Sequence, residues 1–211
     1  DNCLDKNIVA FIEVPAWVGN PRQDLLDRLA NGNGDTPLEY PMLTHWLNNM
    51  NEDKVLGMMN YLGMHNAADD KVKVVFVPCY LTGDDGILNL SYYDVVLAND
   101  LCVYPSYYEP WGYTPLEAVA FKVPCITTDL AGFGLWANSV KGSNCNIEDG
   151  VEVIHRTDYN YSEVADAIKD TVVKFASFDD VQVKRSRSNA DKLSKKALWS
   201  KFITYYDDAY D

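Results

Sequence analysis

"YPSYYEPWGYTPLEAVAFKVPCITTDLAGFG", Tyr104 to Gly134, decides how the rest of the chain is read. It begins in an apolar run, "LCVYPS" (Leu101–Ser106), that suits a buried strand. A loop with Pro110 and Gly112 follows, then a helical pattern, "TPLEAVAF", and a second strand, "VPCITT" (Val123–Thr128). Strand, tight loop, helix and strand in this order make a βαβ unit with parallel strands. The loop carries an acid at each end, Glu109 and Glu117, with seven residues between them.

The loop residues constrain the backbone. Glu109 precedes Pro110 and is pushed toward an extended conformation. Gly112 lacks a Cβ and allows positive φ or close approach of a ligand. Thr114 reads as an N-cap with Pro115 at the first helical position. Glu117 then falls at the third, and "TPLE" matches a capping box, so spacing alone leaves Glu117 either a cap or a ligand-binding acid. Glu109 has no such structural task, and its plain alternative is a solvated loop carboxylate. Ionised carboxylates only accept hydrogen bonds, which makes hydroxyl groups their natural partners. From Val74 to Phe121 there is no Lys or Arg. Positive potential for a phosphate must therefore come from the helix N-terminus after Gly112 or from elsewhere.

Outward from this unit the pattern repeats. "NIVAFIEV" (Asn7–Val14) and "KVKVVFVPCY" (Lys71–Tyr80) read as strands buried on both faces, and "VEVIHR" (Val151–Arg156) as a further strand. Helices are expected in "NEDKVLGMMNYLGMHN", ending near Gly63, and in "SYYDVVLAN". The long Gly19–Pro41 segment is expected to hold one short helix around Arg22–Ala30. From Ser162 the pattern is helical to the aromatic-rich closing stretch "ALWSKFITYYDDAYD". Strands alternating with helices predict an α/β chain with a doubly wound, mostly parallel Rossmann-like sheet, followed by C-terminal helices.

Composition narrows the partners. The 211 residues are 47% hydrophobic, enough for a sizeable core, and no apolar run is long enough to span a bilayer. A net charge of −13 lacks the basic footprint of a nucleic-acid or anionic-membrane binder. The basic residues Lys184–Arg187 and Lys192–Lys196 read as a solvated helix face. Five cysteines without C-x-x-C spacing read as free thiols of a reducing, cytoplasmic setting. His45, His65 and His155 are too scattered in sequence to read as a metal site.

The run Y-Y-E-P-W-G-Y-T-P with its second Glu resembles the nucleotide-sugar-binding core of the animal and fungal type of glycogen synthase, a family of retaining GT-B glycosyltransferases with bacterial members. The resemblance extends back through "VKVVFVPCYLTGDDGILNLSYYDVVLANDLCV", Thr44–His45 and "IVAFIEVPA", and weakens after about Val140.

It implies the C-terminal half of a GT-B fold, with residues 1–160 as the donor-binding domain and 161–211 as C-terminal helices, the last packing toward an N-terminal acceptor domain. The domain's first strand and helix, with a donor-contacting Arg and Lys, would precede Asp1, so this stretch alone is expected to be inactive.

By position, Glu109 matches the acid that lies against the donor glucose and Glu117 the one that accepts from the ribose hydroxyls. Gly112, Tyr113 and Thr114 match the backbone cradle of the diphosphate, with Trp111 beside them. Tyr92, which on its own reads as a packing aromatic, matches the ring that stacks on uracil.

The implied reaction moves glucose from UDP-glucose to the non-reducing end of an α-1,4-glucan with retention, without cofactor or metal. ADP-glucose as donor, a different acceptor, and a non-catalytic nucleotide-sugar-binding module are the alternatives, and a homo-oligomer is left open. One departure stands out. The dense arginine cluster by which eukaryotic members read glucose 6-phosphate is reduced here to Lys184, Arg185 and Arg187, so activation by that sugar phosphate is not expected.

Overall fold

The computed structural model describes residues 6–32 and 37–210. The chain forms two compact units that divide between Asp94 and Val95.

In the first unit, β1 (Ile8–Glu13), β2 (Val18–Pro21), α1 (Gln23–Asn31), β3 (His45–Leu47), α2 (Lys54–Tyr61) and β4 (Val72–Val77) follow one another. β1 lies parallel to β4, in register from Ile8 opposite Val72 to Glu13 opposite Val77. Met42, Leu43, Leu47, Leu56, Met59, Val74 and Phe76 close into a core under this pair. Asp53 caps α2 by accepting from the Leu56 N–H at 2.8 Å, as an Asp at a helix start should.

β1 departs from expectation. It alternates instead of being buried on both faces, with Val9 and Phe11 exposed at 54% and 42%. Its continuous apolar run hid the alternation, and the core covers one side of the strand only. The antiparallel pair of β2 and β3 was not legible either, because Gly19 and Pro21 read as turn residues. The short helix expected near Arg22–Ala30 is α1. Cys3 lies outside the described residues.

α3 (Tyr92–Ala98) leads into the second unit, where β5 (Cys102–Val103), α4 (Tyr113–Ala120), β6 (Cys125–Thr128), α5 (Gly132–Lys141), β7 (Val151–Ile154), α6 (Tyr161–Ala176), α7 (Asp180–Ser194) and α8 (Trp199–Tyr210) follow. β5, β6 and β7 form a parallel sheet in that order, so the α/β class with parallel pairing is as read from the sequence. β5 is cut to two residues: Tyr104 still donates to the Ile126 carbonyl at 2.8 Å, but Pro105 has no N–H to continue the ladder.

The sheet is packed by α6 through Ile126, Ile154 and Val164. α7 docks on the turn before β7, where the Ser186 hydroxyl donates to the Ile147 carbonyl at 2.6 Å. A Cβ at Gly150 would sit 2.4 Å from the Ala190 nitrogen, so only glycine lets α7 approach. Lys184 and Arg185 are exposed on α7, as expected of a solvated face, whereas Arg187 is half-buried and bonded to Asp100. Cys79, Cys125 and Cys145 are free thiols. Among the described residues no helix is long and apolar enough to cross a membrane.

Candidate functional site

Beyond the carboxyl ends of β5 and β6, two loops are laced together. The Thr128 hydroxyl donates to the Ser106 carbonyl at 2.7 Å. The Glu109 N–H donates to the Leu130 carbonyl, the Gly132 N–H donates back to the Glu109 carbonyl, and the Phe133 N–H donates to the Trp111 carbonyl. These bonds fix the backbone of Glu109 on both sides.

The approach is so close that a Cβ at Gly132 would lie 2.3 Å from the Pro110 carbonyl oxygen, and one at Gly134 would lie 2.3 Å from that of Thr128. "AGFG" is thus a sequence of contacts, with its glycines placed where the loops touch.

Gly112 makes the turn into α4. It has φ +98°, and a Cβ there would meet Pro115 at 3.3 Å and the Glu109 side chain at 3.4 Å. The helix starts two residues earlier than expected. Gly112 is the N-cap, Tyr113 the first helical residue and Pro115 the third. Thr114 is exposed inside the first turn, and Glu117 falls in the second turn instead of at the third position. The capping box read from "TPLE" is therefore not the geometry of this helix start. The left-handed glycine turns the chain into the helix, and no side chain caps its first N–H groups. The N–H groups of Tyr113 and Thr114 open toward the loop side, where a helix N-terminus carries partial positive charge.

Glu109 and Glu117 are both half-buried, on either side of this turn. Trp111 is anchored in an aromatic cluster, its ring 6.1 Å from Phe133, 5.8 Å from Trp136 and 5.3 Å from Phe202 of α8. Tyr113 is 71% exposed. Tyr92 belongs to the first unit: it opens α3, its N–H donates to the Leu81 carbonyl at 3.0 Å, and its ring lies 5.3 Å from Tyr93.

Two constellations escaped the sequence reading. In the second unit, Arg156 comes back from the end of β7 to the Tyr104–Glu109 loop, and beside it the His155 ring is hydrogen-bonded to Asp129. In the first unit, His45, Cys79 and Asp85 each bring a ligand-type atom within 4.8 Å of the others. Wide sequence separation hid both.

The His45 group is already satisfied internally. His45 Nε2 lies 2.8 Å from the Asp85 carbonyl oxygen, and Nδ1 lies 2.9 Å from Thr44 Oγ1. The Asp85 carboxylate accepts from the N–H groups of Ile87, Leu88 and Asn89. Burial pushes the Asp85 pKa up, but those three bonds outweigh it and hold it below the usual range. Burial pushes the Cys79 thiol up, away from the thiolate a metal needs. This is the chemistry of a braced turn.

A family model described as glycogen synthase matches residues 30–211. The chain belongs to the glycogen synthase family. It is 31% identical over 166 residues to glycogen [starch] synthase isoform 1 of Saccharomyces cerevisiae, covering 79% of this chain and 23% of that protein. The Caenorhabditis elegans glycogen [starch] synthase is 32% identical over 161 residues, covering 74% and 23%. The liver glycogen [starch] synthase of Rattus norvegicus is 28% identical over 173 residues, covering 80% and 24%.

The chain thus spans about a quarter of the length of the glycogen synthases it matches. Among solved structures, that of WaaG, a glycosyltransferase involved in lipopolysaccharide biosynthesis, superposes with a TM-score of 0.46 at 16% identity, over 92% of this chain and 44% of that one.

Proposed function

We propose that the protein carrying this chain is a glycogen synthase that transfers glucose from a nucleotide-glucose, UDP-glucose by preference, to the non-reducing end of an α-1,4-glucan with retention. The observation that carries the reading is the Gly112 turn, flanked by Glu109 and Glu117 and laced to the strand ends, in a chain of the glycogen synthase family.

The chemistry follows from the groups present. The first N–H groups of α4, aided by the helix dipole, receive the diphosphate and stabilise charge as it builds on the departing phosphate. Glu117 accepts from the ribose hydroxyls. Glu109, with its backbone pinned on both sides, lies against the donor glucose and stabilises positive charge developing at the anomeric carbon. It need not form a covalent bond, which separates this site from the paired carboxylates of retaining glycosidases. Tyr92 stacks on the base. The glucan is held by a further domain of the full-length protein, and a reducing cytoplasm suits the buried thiols.

The test is made on the intact protein with labelled UDP-glucose, labelled ADP-glucose and a glycogen primer. Glu109→Ala is expected to remove nearly all turnover while leaving the melting temperature close to wild type. Turnover surviving in that variant would remove Glu109 from the mechanism. Faster turnover with ADP-glucose would favour the second donor, and no transfer from either would favour a binding module.

A further inference from the structure

Behind the loop that carries Glu109 stands a buried arginine. Arg156 follows β7, is 8% exposed, and reaches across to the segment after β5. Its Nη1 donates to the Pro105 carbonyl at 2.7 Å, and its guanidinium carbon lies 4.2 Å from the centroid of the Tyr107 ring. Its backbone N–H donates to Asp129 Oδ1 at 2.9 Å, while the other oxygen of Asp129 takes the His155 ring. Pro105 and Tyr107 stand just upstream of Glu109.

A guanidinium is a poor choice for filling space. Burying it costs several kcal/mol unless it is paired, and an apolar chain of similar volume often does better. Arg156 Nε is also buried with no partner among the described residues. Two things set arginine apart here: a planar cation that lies on an aromatic face and a fork of donors fixed in that plane. Both are turned on the same five-residue segment. The tie matters because the backbone bonds of Glu109, to Leu130 and from Gly132, anchor the loop downstream. Upstream, the Thr128 hydroxyl holds the Ser106 carbonyl, but Tyr107 and Tyr108 are 50% and 78% exposed, so burial of their own rings does little to hold the stretch between Ser106 and Glu109.

We propose that Arg156 is a positioning residue that holds the Pro105–Glu109 segment and so sets the Glu109 carboxylate for transfer. This rests on the reading of Glu109 given under the proposed function. The two ties act together: the Pro105 carbonyl fixes the height of the segment and the Tyr107 ring fixes its roll. Misplacing a charge-stabilising acid slows the chemical step more than it weakens donor binding.

The experiment compares Arg156→Met and Arg156→Lys in the intact enzyme by steady-state kinetics, thermal melting and hydrogen exchange. In Arg156→Met, kcat is expected to fall on the order of tenfold or more, with the donor KM within about twofold of wild type. Amides from Ser106 to Glu109 should exchange faster while those of β6 and β7 keep their protection. Arg156→Lys should recover part of kcat, since an ammonium can still reach the Pro105 carbonyl.

An unchanged kcat in Arg156→Met would overturn the proposal, as would unchanged exchange in this segment. So would a loss of kcat that only follows the loss of folded protein. If wild-type enzyme transfers glucose from neither nucleotide, the functional reading fails instead, and the exchange data still decide whether Arg156 holds the segment.

Discussion

His45 and Asp85, forty residues apart in sequence, are joined by a single bond from ring to backbone: His45 Nε2 lies 2.8 Å from the Asp85 carbonyl oxygen. A carbonyl only accepts, so Nε2 carries the proton. In the neutral ring Nδ1 then accepts from the Thr44 hydroxyl. If the ring is protonated, that hydroxyl can turn to the Phe76 carbonyl at 3.1 Å. The imidazole thus braces the turn that leads into Tyr92 in either charge state.

His45→Ala leaves buried partners unsatisfied and is expected to destabilise the protein by about 1–3 kcal/mol, read as a lower denaturant midpoint. A chelator is expected to leave the wild-type midpoint where it is, because both ring nitrogens and both Asp85 carboxylate oxygens already have partners. A chelator-sensitive midpoint would mean that His45, Cys79 and Asp85 hold a metal after all.

Glu13, at the end of β1, has its pKa raised by burial, and its Oε1 is buried without a partner among the described residues. A carboxyl whose folded pKa lies above its unfolded one favours the fold at low pH. That contribution is lost as pH rises through the folded value. Glu13→Gln is therefore expected to raise the melting temperature at neutral pH, and the advantage should vanish in acid. Melting curves across the carboxylate range check both halves.

The glycines of the candidate site differ in what they tolerate. At Gly132 a methyl group would meet a carbonyl oxygen at 2.3 Å, and at Gly112 side chains at 3.3 Å and 3.4 Å with φ at +98°. Gly112→Ala is expected to cost about 1–3 kcal/mol of backbone strain and to reduce donor affinity. Gly132→Ala should destabilise more, because a backbone oxygen cannot swing aside. Urea midpoints for the two variants give the order directly.

Regulation by sugar phosphate has a simple check. Arg187 is already bonded to Asp100 at 3.0 Å, and Lys184 and Arg185 stand exposed without a dense cluster around them. Glucose 6-phosphate is expected to leave the rate of the intact enzyme unchanged at all donor concentrations. Severalfold activation would contradict that.

Much of this was legible in the sequence. The parallel strands announced themselves as apolar runs, and the turn between Glu109 and Glu117 was marked by Pro110, Gly112 and Pro115. What escaped depends on distance and geometry. Arg156 and His45 act on partners far away in the chain, which no local pattern records. The start of α4 lies two residues before the one "TPLE" suggests, because that stretch fits a capping box so well, whereas the chain turns at a left-handed Gly112 with no side-chain cap. The exposed face of β1 was hidden because Val9 and Phe11 are as apolar as their buried neighbours.

The aromatic cluster around Trp111 brings an optical handle with it. Phe202 of α8 sits against both Trp111 and Trp136, while Trp17 and Trp199 are 68% and 63% exposed. Quenching the exposed indoles with a soluble agent would leave emission dominated by sheltered ones, two of which touch the terminal helix. Their colour would then report, without any label, whether that helix is seated, and a donor that rearranged it would shift the spectrum.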